Sequence, residues 1–189
     1  MPVRRRKCDR SDHGISPPPA KAAITGGDHR STSMYIASPR HLPSIKQLHD
    51  YWTLCRGARA MPRRADIDPA DIPHLLPNVF LVDIEHAPFR VRYRVVGTNA
   101  VEWQGRDFTG HYLDEMRFNK PDEILALYRR AAEEKVPTFR SGTWQMPNGV
   151  TRAVETAILP LSEDGERVSQ CLAIEDFQDV RDPTYLPLG

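Results

Sequence analysis

Seven histidines, three cysteines and 25 acidic residues are the groups here that could hold a metal or move a proton. Their spacing decides whether they do. His13, His29, His41, His49, His74, His86 and His111 stand at no metal-ligand spacing to one another or to Cys8, Cys55 or Cys171. The cysteines are odd in number, far apart and without a CxxC pair, which reads as reduced thiols in a reducing compartment. No Gly-rich phosphate loop, GxSxG, HExxH or HxE…PCxxC occurs. Carboxylate pairs such as Glu133-Glu134 fall on a solvated face. The expectation is therefore a protein that binds rather than catalyses. Tyr93, Trp103, Tyr112, Tyr128 and Trp144 are the candidate ligand-binding aromatics, although aromatic residues on helix and strand faces also build ordinary cores. Arg90, Arg92 and Arg94 alternate along one strand. They form either an anion strip or cross-strand partners for Asp83, Glu85 or Glu175. Pairing is the reading adopted, because unpartnered they would leave a one-signed surface.

The elements that position these groups can be read from periodicity. The length of 189 residues and 40% hydrophobic content suit one domain with a tail. Residues 1–43, with Ser16-Pro17-Pro18-Pro19, Gly26-Gly27 and a basic start, show no period and read as a disordered tail. That start is not followed by the apolar run of an export signal, and no stretch reaches the roughly 18 apolar residues of a membrane span. The chain is expected in the cytoplasm. Its net charge of +1 gives no pull toward nucleic acid or membrane, and neither is expected as a partner.

Ser44 to Gln47 matches a capping box that opens a helix over 44–57. Leu48, Tyr51, Trp52 and Cys55 share one face of it. That face must cover the domain's own sheet or the same helix of a second subunit, so it is the candidate dimer interface. Asp68-Pro69 starts a helical turn, and Pro73 and Pro77 limit the stretch up to Asn78 to single turns. Residues 79–85 are nearly continuously apolar, as in a strand covered on both faces. In residues 89–97, Phe89, Val91, Tyr93 and Val95 alternate with the arginines, and the short connection makes a hairpin. Short helical pieces broken at Gly105 and Gly110 precede a helix over 121–135. Three strands close the chain over 138–146, 151–161 and 168–177, with hairpin turns at Pro147-Asn148-Gly149 and Glu163-Asp164-Gly165. Residues 179–189 read as a second tail. All interior helices lie in one crossing, so they belong on one face of an antiparallel sheet.

Over residues 44–178 the chain resembles the PAS domain, and more closely a PAS-like family of bacterial signalling proteins. The resemblance rests on Tyr51-Trp52, Pro62-x-Arg64, Asp66-Ile67-Asp68-Pro69, Ile72-Pro73-x-Leu75-Leu76-Pro77, Phe80-Leu81-x-Asp83, Arg92-Tyr93-Arg94-x-x-Gly97-Thr98 and Gly105-Arg106-Asp107-x-Thr109-Gly110. It implies an α+β fold: a five-stranded antiparallel sheet in order 2-1-5-4-3, with helices over one face and an N-terminal helix. It implies small-molecule sensing or protein contact, commonly as a homodimer. The chain leaves no room for an output module, so a stand-alone sensor acting through a signalling partner is expected. No particular cofactor is named. A haem-binding relative needs an axial histidine near the position of His111, whose ordinary reading is a partly exposed polar residue. The cysteine of a flavin adduct would lie on the helical side, whereas Cys171 lies in the last strand. A ligand-free dimerisation adaptor with a filled core is the competing reading, and an enzyme on the same sheet a third.

Overall fold

The computed structural model describes residues 42–116, 118, 121–145 and 149–178. The tails, apart from residues 42 and 43, and Pro147-Asn148 of the expected hairpin turn lie outside the described residues. Helix α1, Pro43–Arg56, starts one residue ahead of Ser44. Pro43 takes the first turn, where a missing N–H goes unused. Ser44 therefore does not cap the helix, and its hydroxyl donates to the Asp176 carboxylate instead. Gly57 ends the helix at φ +56°.

Single 3-10 turns at Arg64–Asp66, Pro69–Asp71 and Leu76–Asn78 then lead to the sheet. Asp68 caps the middle turn by accepting from the Ala70 N–H at 3.0 Å. The remaining elements are β1 Val79–His86, β2 Phe89–Val96, α2 Thr98–Gln104, α3 Pro121–Glu134, β3 Thr138–Gln145, β4 Thr151–Leu161 and β5 Gln170–Gln178. The strands form one antiparallel sheet in the order β2-β1-β5-β4-β3. The apolar run of β1 suits its interior place between β2 and β5.

Strict alternation puts Val95 beside Tyr93, and the structure does not. Val82 pairs with Tyr93 while Leu81 pairs with Val95, so Arg94 is one residue extra. This bulge reverses the parity of the last two residues of β2. Val95 is 51% exposed, and Val96 stands opposite Phe80 in its stead.

The two sheet faces are covered differently. Helix α1 lies over β4 and β5 on one side. There Trp52 Nε1 donates to Pro160 O at 2.9 Å, the Leu42 N–H donates to Glu155 at 2.7 Å, and His49 meets the Phe139 ring edge-on. Helices α2 and α3 cover the other side, facing residues that alternate with those: Arg140, Thr156 and Glu175. Leu48, Trp52 and Cys55 are at most 5% exposed. The stripe expected at a dimer interface is thus spent on the chain's own sheet, because the outer faces of β4 and β5 are themselves apolar (Ala157, Leu159, Leu172, Ile174) and need a cover. Tyr51 lies at the edge of this layer, with its hydroxyl accepting from the Asp68 N–H at 2.8 Å.

Candidate functional site

A cavity lies between the sheet and the layer of α2 and α3. Its walls are aromatic. Tyr93 meets Phe108 edge-on at 4.8 Å between centroids, Phe108 meets Phe118 at 5.5 Å, and Phe118 meets Trp144 at 6.0 Å. Trp103 meets Phe177 at 4.3 Å. Side chains fill most of the space. About 20 Å³ remains for water centres, enough for about one water.

The floor carries one polar row. Arg140 on β3 pairs with Thr156 on β4, and Thr156 pairs with Glu175 on β5. Residues directly opposite share a sheet face, so three strands bring a cation, a hydroxyl and a carboxylate into line. The neighbouring row, Ile158, Ala173 and Phe80, is apolar. Arg140, only 10% exposed in its side chain, donates to Glu123 of α3 at 2.9 Å. Among the described residues, Thr156, Glu175 and the Tyr93 and Tyr128 hydroxyls have no hydrogen-bond partner, and all four residues line the cavity. Burial pushes the Glu175 carboxyl up to about 7, against the weaker pull of Arg140. Burial and then the nearby Glu175 charge hold the Tyr93 hydroxyl well above its ordinary range, so it remains a donor.

Of the residues chosen from sequence, Tyr93, Trp103, Tyr128 and Trp144 line this cavity. His111 and Tyr112 do not. Residues 110–112 run along the outer edge of β2, where the Gly110 N–H donates to Tyr93 O and the Tyr93 N–H donates to His111 O. Tyr112 stands opposite Arg92 and so takes the arginine face. Its hydroxyl donates to Glu85 at 2.7 Å, and Arg90 lies 3.6 Å above its ring. The His111 side chain is 61% exposed and points to Glu115, not into the cavity, so it offers no axial ligand there.

The arginines are paired, on the face away from the cavity. Arg92 reaches Asp83 at 2.9 Å and Arg94 the same carboxylate at 3.5 Å, while Arg90 holds Asp114 at 2.8 Å. Glu175, named as a partner from sequence, is not one, because it points to the opposite face. Sequence reasoning misses Arg140, Thr156 and Phe108. For Arg140 a signal exists, since it shares strand parity with Trp144. Among the described residues no group of His, Cys, Asp and Glu could hold a metal. No described helix is long and apolar enough to cross a membrane.

A five-stranded antiparallel sheet in this order, with helices over one face and a cavity beneath them, is the α+β architecture of the PAS fold. The PAS domain model matches residues 40–174, and the chain belongs to the PAS domain family. No curated protein matches the chain. Similar solved structures include the PAS domain of Bordetella pertussis BvgS (14% identity over 71% of this chain and 88% of that one, TM-score 0.39). The Vibrio cholerae VqmA dimer gives 14% identity over 65% of this chain and 56% of its own, with TM-score 0.47. A Rhodobacter sphaeroides LOV protein gives 11%, 61% and 71%, with TM-score 0.45.

Proposed function

We propose that this chain is a non-catalytic sensory module that takes a small molecule into the cavity beneath α2 and α3. Occupancy is then passed to a signalling partner in a bacterial cytoplasm by a homodimer. The observation that carries this is a cavity onto which the Tyr93, Tyr128 and Thr156 hydroxyls and the Glu175 carboxylate open without a protein partner among the described residues. Polar groups facing an aromatic-walled cavity without a protein partner are free to bond a ligand that offers matching groups. Trp103, Phe118 and Phe177 are the partly buried members of the wall. They are the ones that move aside to admit a molecule larger than the resting space.

The small resting volume favours a second reading, a filled adaptor that never takes a ligand. The subunit contact, in either reading, is expected on the open side of α1, where Leu54 is 49% exposed, and not through its covered stripe. Native mass spectrometry of the purified protein tests both points at once. A dimer mass with a small molecule that leaves on activation supports the sensor. A dimer that carries nothing, and whose melting ignores a metabolite panel, supports the adaptor. A monomer at micromolar concentration removes the dimer from either.

A further inference from the structure

The polar row on the cavity floor narrows what the cavity takes, on the reading that it takes a ligand at all. Two charged groups face the same small space without bridging each other. Arg140 is already matched by Glu123 at 2.9 Å, so an anionic ligand would add a further negative charge near Glu175 with no second cation lining the cavity among the described residues. A cationic ligand meets Glu175 but shares the floor with Arg140, two strand spacings away, about 10 Å. Burying either ion against aromatic walls carries a desolvation cost that the site leaves largely uncompensated. An uncharged ligand avoids that cost.

The row nevertheless wants hydrogen bonds of both kinds. Arg140 donates, Glu175 accepts, and Thr156 between them does either. The lining is rich in rings (Tyr93, Phe108, Phe118, Trp144, Trp103 and Phe177), against whose faces and edges a flat body packs. We infer that the cavity takes a small, planar, uncharged molecule whose polar edge carries a hydrogen-bond donor beside an acceptor, as an amide does, laid along Arg140, Thr156 and Glu175.

Four probes of one size test this on the full chain: benzamide, benzoate, benzylamine and toluene. Quenching of Trp103 and Trp144, both in the cavity wall, reads binding at pH 8. Benzamide is expected to bind at least about tenfold tighter than each of the other three, the scale of one well-made hydrogen bond to a charged group. Glu175→Leu is expected to remove about that factor for benzamide and to leave toluene unchanged, which also reports an intact cavity. Benzoate or benzylamine ahead of benzamide overturns the uncharged class, and benzamide no tighter than toluene overturns the role of the row. Binding by none of the four overturns the inference, and with it the sensory reading on which it rests.

Discussion

Glu175 is a carboxylate placed where an ordinary acid is costly. It faces Tyr93 from β2, Tyr128 from α3 and Arg140 from β3, with Glu123 of α3 behind the arginine and Gln104 of α2 in the same wall. Its carboxyl is raised from 4.5 to about 7 by burial, so the folded protein holds this proton more tightly than the unfolded chain does. Folding then takes up a proton between those two values. The contribution to stability is greatest below pH 4.5, declines as pH rises, and is lost above about 7. Glu175→Gln removes the titration. The variant is expected to gain on the parent as pH rises from about 5 to about 8 and to be the more stable protein at pH 8. Urea unfolding of both at several pH values measures it, and a parallel pair of stability curves refutes the assignment.

At the scale of elements, the junction between the proline-rich turns and α2 turns on one residue. Gly97 has ordinary extended φ, and its constraint is space. A Cβ there would lie 2.3 Å from Pro77 O and 2.8 Å from Leu76 O, both main-chain atoms that cannot rotate away. The same junction is tied by Asn99 Nδ2 donating to Asn78 Oδ1 at 2.8 Å. Gly97→Ala is therefore expected to cost about 1–3 kcal/mol through forced backbone displacement. Urea unfolding reads it, and an alanine variant as stable as the parent removes the close contact. The residues at this junction are visible in the sequence as the motifs around Ile72–Pro77 and Gly97-Thr98, but their contact is not. Strands and helices are legible because periods of two and of 3.6 report a buried face directly. Alternation misplaces Val95 because a one-residue bulge leaves no mark on it. Ser44 reads as a cap, yet Pro43 already supplies the start of the helix.

Across the whole molecule, the decisive step is which face each helix takes. Periodicity shows that α1 has an apolar stripe but not what lies beneath it. Likewise the aromatic lining of the cavity is half legible, while the Arg140–Thr156–Glu175 row needs the registers of three strands, which no local pattern carries. His111 and Tyr112 read as lining from the helical side, yet main-chain bonds between residues 110–111 and Tyr93 pin this stretch to the edge of β2 and take both side chains out of the site. The placement of α1 makes a prediction that separates a domain layer from a subunit contact. Trp52 is 3% exposed and donates to Pro160 O on β4. If α1 is part of the domain, Trp52→Ala costs about 3–5 kcal/mol in unfolding free energy. The sedimentation coefficient of the folded protein stays where it was, because no subunit contact has been touched. If the stripe instead served a partner copy, the same change would shift the sedimentation coefficient and leave the unfolding of the isolated chain nearly unaltered. Urea titration and sedimentation velocity on one preparation decide between them. A variant that dissociates without losing stability would overturn the assignment of α1 to the sheet it covers.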